Sequence, residues 1–245
     1  TFALRSNTSG TPNDAFGYQA LYNNTTGAQN VAIGYQSLKA NTTGTYNTAI
    51  GWQALTANTT GVGNTAIGAQ TLVNVTTGSY NTGCGNSLFN VTTGSNNTAI
   101  GWNALDANTA SNNTALGYYA LSKNTTGTPN VAVGHNALFS NTIGAYNTAL
   151  GYGSLYTNTT GVENTAIGFQ ALNLNSTGVE NVAVGTNALA SSIGSRNTAV
   201  GRAALQNNTA NSNTAMGNGA LYTNTSGTPN DAFGYNALYL SLIHI

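Results

Sequence analysis

The stretch Asn47-Thr48-Ala49-Ile50-Gly51-Trp52-Gln53-Ala54-Leu55-Thr56-Ala57-Asn58-Thr59-Thr60-Gly61-Val62-Gly63 decides how the whole chain is read, because at Asn64 the same pattern starts again. Let its seventeen positions be columns one to seventeen. The opening Asn recurs from Asn13 to Asn230, in steps of 17 residues nine times and 16 residues four times. Column three is Ala except at Gly83, column five is Gly in every copy, and column nine is Leu. Column four is apolar throughout, from Phe16, Ile33 and Ile50 to Met216 and Phe233, and the late columns mostly read Asn-Thr-Thr-Gly. A short fixed period kept from end to end marks a repeat array.

Seventeen residues cannot hold two helices and their turns. One Ile and one Leu five apart also make no 3.6-residue stripe. The period suits one coil of a β-solenoid: at roughly 3.3 Å per residue it gives a contour of about 55 Å, enough for two strands of about five residues and two turns. The expected fold is therefore all-β, a parallel β-solenoid (β-roll) of 16–17-residue coils, about fourteen of them, forming a single array over residues 1–239. Stacking at about 4.8 Å places identical residues above one another, which explains why columns persist. Side chains alternate along a strand, so columns two and four share one face and columns one, three and five the other. The apolar fourth column predicts that the first of these faces lines the interior, opposite the Leu of column nine. Ala and Gly would then face outward, where close approach of another chain would require them. The Asn of column one is expected to form an amide ladder from coil to coil.

Composition narrows the function. Charged residues make up 4% of the chain, five of each sign, for a net charge of zero. That excludes the basic footprint of a nucleic-acid binder, and the apolar runs are too short for membrane insertion as a helix. Cys84 is the single cysteine and sits in the apolar fourth column, so no disulfide within the chain can form. His135, His244 and five scattered carboxylates give neither a metal cluster nor a paired acid–base site, and the glycines recur as turn elements rather than a phosphate loop. The expectation is a protein that is not an enzyme and takes no cofactor. A surface so poor in charge needs another source of dispersion, such as amides and hydroxyls, glycans, or burial in an assembly.

Two candidate surfaces follow from the columns. Asn-X-Ser/Thr sequons fall in the late turn, at Asn24, Asn41, Asn58, Asn124, Asn158, Asn175 and Asn224, where glycans could sheathe the rod. Column six holds Tyr18, Tyr35, Trp52, Trp102, Tyr118, Tyr152, Phe169 and Tyr235, a ladder able to stack on sugar rings or on another chain. Packing beside the turn is the plainer role for that ladder. The short coils at Asn81 and Asn97 recur at Asn181 and Asn197, 100 residues on, which reads as tandem duplication. Thr1–Pro12 aligns with the end of a coil, so the chain is read as a fragment of a longer array. The closing Leu240-Ser241-Leu242-Ile243-His244-Ile245 resembles a translated sequencing-library adapter, and residues 240–245 are read as non-native.

The Asn-Thr-Ala-Ile-Gly strand followed by Ala-Leu resembles the Asn-Ser-Val-Ala-Ile-Gly coils of trimeric autotransporter adhesin heads, whose coil is shorter. It is also similar to repeats in phage tail-fibre proteins, and the resemblance covers residues 1–239. It implies a left-handed parallel β-roll that is extracellular, on a cell surface, secreted fibre or virion, and often trimeric. The leading expectation is a structural fibre or fibre segment whose partners are copies of itself, as a trimer or filament. The alternative is a phage or bacterial adhesin or tail-fibre shaft that binds surface carbohydrate. A third reading is an ice-binding solenoid, although the adjacent Thr pair of the late turn points its side chains to opposite faces.

Overall fold

The computed structural model describes residues 2–241. The chain forms two compact units, Thr1–Tyr119 and Ala120–Ile245. Both are all-β, with no helix among the described residues. In the first unit, strands run over Asn13–Phe16, Asn30–Ile33, Thr48–Ile50, Thr65–Ile67, Thr82–Cys84, Thr98–Ile100 and Thr114–Leu116. Each pairs in parallel with the strand one repeat further on, so Asn13 lies beside Asn30, Ala32 beside Ala49 and Ile50 beside Ile67. The second unit repeats this with Asn130–Val133, Asn147–Leu150, Thr165–Ile167, Val182–Val184, Thr198–Val200, Thr214–Met216 and Asp231–Phe233. One Asn-to-Asn step is one coil of a parallel β-solenoid, as the period predicts.

Each coil holds one regular strand of three or four residues, where the contour length suggested two of five. The backbone has to turn, and it does so at columns seven, nine and seventeen, where non-glycine residues take left-handed angles: Gln53 at φ 53°, Leu55 at φ 53° and Tyr46 at φ 59°. Such residues end an extended run. The turn segments are still tied to the next coil, with Leu38 N donating to Ala54 O at 3.0 Å and Thr42 N to Thr59 O at 2.9 Å. A second ladder of two-residue strands forms in the second unit alone, over Asn207–Asn208, Thr223–Asn224 and Leu240–Ser241. The last four residues of the closing hexapeptide, 242–245, lie outside the described residues.

The interior is the opposite face from the one the apolar column predicted. Asn47, Ala49, Ala54, Leu55 and Asn58 are fully buried, whereas Ile50 is 36% exposed and Phe16 77%. Volume explains the inversion. A coil this narrow encloses one layer of side chains, and Leu fills most of it. Only Ala fits beside the Leu, and an Ile there would overpack. Ala is therefore held small by the core and not by a neighbouring chain, whereas the column-five Gly51 is fixed by its φ of 138° and by the carbonyl of Gly68, 2.5 Å from where a Cβ would stand.

In most coils two asparagines enter this interior, where their amide nitrogens are paired. Asn47 Nδ2 donates to Asn30 Oδ1 at 3.1 Å and to Gly61 O at 2.8 Å, and the Asn47 backbone N donates to the same Asn30 oxygen at 3.0 Å. This is the ladder expected of column one. A second ladder runs through column twelve, where Asn58 Nδ2 donates to Asn41 Oδ1 at 2.8 Å and to Gly61 O at 3.2 Å. Both ladders converge on the late-turn glycine. A Cβ on Gly44 would lie 2.4 Å from Asn41 Oδ1 and 2.5 Å from Gly61 O, so crowding demands glycine there.

The one departure in column three is explained by its neighbour. Thr71 replaces the usual Ala of column eight, and its Cγ2 would lie 2.7 Å from a Cβ on Gly83. The methyl that Gly83 lacks is supplied by Thr71.

Candidate functional site

With Asn and Ala turned inward, the strand presents columns two and four to solvent. In the first unit Phe16, Ile33, Ile50, Ile67, Ile100 and Leu116 are all exposed. Strand register stacks them directly, Ile33 beside Ile50 and Ile50 beside Ile67. Cys84 continues the column with a half-buried thiol. In the second unit Leu150, Met216 and Phe233 are exposed, with Val133, Ile167, Val184 and Val200 half-buried. A continuous apolar stripe on a regular sheet marks an interaction surface. Reading column four as core concealed this surface, and alternation alone does not say which face is inside.

Column six lies just past the strand, and its aromatic residues are exposed: Tyr18, Tyr35, Trp52, Trp102, Tyr118, Tyr152, Phe169 and Tyr235. Some of them stack. Tyr18 and Tyr35 lie 5.4 Å apart between ring centroids at 15°, and Tyr152 and Phe169 5.4 Å apart at 14°. His135 joins the second pair through Tyr152 at 5.1 Å. A second aromatic column, ten, was not anticipated: Phe139 stacks on Tyr156 at 5.2 Å and Tyr222 on Tyr239 at 4.8 Å. Elsewhere the column holds unrelated residues such as Lys39, Thr56, Val73, Asp106, Asn173 and Ala190, so no column pattern reveals it.

The aromatic ladder of the first unit is broken between Trp52 and Trp102. Column six is Ala69 in the next coil, and the coil after that is one residue short at this place, leaving Gly85 followed by Asn86. The break opens a groove of about 400 Å³ lined by Trp52, Ala69, Gln70, Gly85, Asn86 and Trp102. Beneath the aromatic residues runs a carboxamide ladder in column seven. Gln36 Nε2 donates to Gln19 Oε1 at 2.9 Å and Gln53 Nε2 to Gln36 Oε1 at 3.2 Å.

The late-turn asparagines proposed as glycan acceptors are inside the coil. Asn24, Asn41, Asn58, Asn124, Asn158, Asn175 and Asn224 are all completely buried. Each donates its amide to the late-turn carbonyl three residues on, as Asn124 does to Gly127 O at 2.9 Å and Asn224 to Gly227 O at 2.8 Å. The nitrogen that would carry a sugar is already spent on the fold, so the expected N-linked sheath has no attachment point at these seven positions. The sequon asparagines that face solvent are others, among them Asn23, Asn90, Asn96 and Asn112.

Titratable groups are dispersed. Among the described residues no three His, Cys, Asp or Glu come together as metal ligands, and no helix is long and apolar enough to cross a membrane. Burial raises the carboxyl pKa of Asp106 above its ordinary value. Arg196 and Glu180 form an exposed ion pair at 3.4 Å. No protein family, curated protein or solved structure matches the chain.

Proposed function

We propose that this chain is a structural, non-catalytic segment of an extracellular fibre, in which copies lie side by side and cover one another's fourth columns. The outward position of Ile33, Ile50 and Ile67 carries this reading. An apolar stripe repeating at about 4.8 Å is matched along its length only by a partner of the same period. A second copy of this chain supplies one. With charged residues at 4% of the chain, such faces meet with few ions to desolvate. Three chains is the number that the resemblance to adhesin heads implies.

Sedimentation of the unmodified chain and of a triple variant, Ile33→Thr, Ile50→Thr and Ile67→Thr, tests this. The unmodified chain should sediment as an oligomer and the variant as a monomer, with unchanged far-UV circular dichroism because the Leu and Ala interior is untouched. A monodisperse monomer from the unmodified chain would overturn the proposal. Ala49→Leu probes something else. Ala49 is completely buried, so the larger side chain should cost the fold itself about 1–3 kcal/mol.

A further inference from the structure

We infer that the groove between Trp52 and Trp102 is a binding site for a neutral oligosaccharide. The inference is independent of side-by-side association, because it concerns column six and not column four. The two indoles are 48% and 54% exposed, and neither stacks on another ring among the described residues. They stand three coils apart, roughly 14 Å at about 4.8 Å per coil, at opposite ends of one groove. Ala69 and Gly85 leave its floor free of bulk.

An indole face held open to water packs well against the C–H face of a sugar ring. Hydroxyl groups need partners that both donate and accept, and carboxamides do both. Gln70 and Asn86 provide them between the two indoles. The ladder that joins Gln19, Gln36 and Gln53 does not continue to Gln70, which leaves that amide for a ligand. Asn86 commits its Nδ2 to Ala69 O at 3.1 Å and presents Oδ1 as an acceptor. No charged side chain lines the groove, so an anionic ligand would find no counter-ion there, and the carboxamides between the indoles favour hydroxyl groups.

Grooves lined by aromatic rings and carboxamides also lie in the second unit beside Gly153 and Gly219, where glycine takes column seven. At Gly153 a groove of about 250 Å³ is lined by Tyr152, Tyr156, Asn136, Gln170 and Asn173. At Gly219 one of about 220 Å³ is lined by Tyr222, Tyr235, Tyr239, Asn218 and Asn236, and here also by the charged Arg202. Each of these three grooves lies where the repeat departs from its pattern.

Trp52 and Trp102 are the two tryptophans of the chain, so indole emission reports on this groove alone. The full chain is titrated to millimolar concentrations with four neutral trisaccharides: cellotriose, maltotriose, xylotriose and chitotriose. At least one should give a saturable change in emission. Ala69→Tyr restores the aromatic residue that column six carries elsewhere, fills the groove and leaves both indoles in place, and it should abolish the change. If that variant alters the circular dichroism, Trp102→Ala at an exposed position replaces it, with Trp52 as the reporter and the same loss expected. Absence of a saturable change with all four sugars, or a variant that titrates like the unmodified chain, would overturn the inference.

Discussion

The side-chain amide of Asn58 donates to Oδ1 of Asn41 at 2.8 Å, but nothing donates to Oδ1 of Asn58, which is buried. The next coil offers Val75 at that column and the one after it Val91, both completely buried. The run that begins with Asn24 donating to Asn7 Oδ1 at 2.8 Å and continues through Asn41 therefore stops on an unpaired oxygen. The column-twelve oxygens of Asn158 and Asn175 are likewise buried and unpaired, so each break in the ladder carries its own local cost.

The first prediction contrasts two substitutions of the same chemistry. Asn58→Val moves the end of the ladder back one coil, exchanging one unpaired oxygen for another. Asn41→Val leaves Asn24 Oδ1 unpaired, takes the acceptor from Asn58 Nδ2, and keeps the original defect. An orphaned buried polar group costs about 1–3 kcal/mol, so Asn41→Val should be the more destabilising by about that amount. Urea denaturation of the two variants side by side measures the difference. Equal losses would mean that the ladder is not cooperative across coils.

A second prediction concerns Gly83 and Thr71. Gly83→Ala drives its new methyl to within 2.7 Å of Thr71 Cγ2, at an overpacking cost of about 1–3 kcal/mol. Thr71→Ala removes that obstacle, but it also removes the hydroxyl that accepts from Asn86 N at 3.1 Å. The double variant recreates the Ala–Ala pair found in most other coils. It should be more stable than the two single changes sum to, with a coupling energy of about 1–2 kcal/mol in a double-mutant cycle. Strict additivity would refute the packing explanation of why column three is broken here.

A third prediction follows from Asp106. Burial disfavours its charged form and raises its folded-state pKa above the ordinary 3.8, and Asn90 Nδ2 approaches it at 3.4 Å. A carboxyl with a raised folded pKa binds its proton more tightly folded than unfolded. Stability is therefore greatest below the ordinary value and declines as pH rises through the folded pKa. Asp106→Asn should remove that decline and unfold at higher temperature than the unmodified chain at neutral pH, with no advantage in acid. Melting curves from pH 3 to pH 7 would show the two converging at the acid end. Parallel curves would mean that the carboxyl titrates as it does in the unfolded chain.

Much of this fold was legible in the columns. The period gave the coil, and the column-nine Leu fills the core, with Leu55 and Leu72 both completely buried. The column-one Asn ladder also formed as the repeat of an amide implied. What misled was hydrophobicity, applied to a coil too narrow to use it. Alternation puts Asn47 and Ala49 opposite Ile50, but it does not rank the faces. Choosing the apolar face as interior ignored that Leu55 already occupies the layer. The sequons misled for a related reason: Asn-Thr-Thr-Gly is a turn with polar residues, but Asn58 points inward where Thr60 points out. The groove at Trp52 was written in the sequence as Ala69 and a missing residue before Asn86. It needed the stacked coils to become a shape.

The ladders also give the stack a direction. Backbone N–H groups donate to the column-one Oδ1 atoms, as Asn47 N does to Asn30 at 3.0 Å, which fixes the orientation of each amide. Asn30, Asn47 and Asn81 all donate Nδ2 toward the preceding coil, and Asn24, Asn41 and Asn58 do the same in column twelve. Strand dipoles in a sheet largely cancel, whereas these side-chain dipoles add. Within such a column the N–H side of every amide faces the preceding coil and the carbonyl oxygen faces the following one. Because both columns point the same way, their dipoles reinforce each other along the stack, and reversing a single amide would set it against its neighbours on both sides.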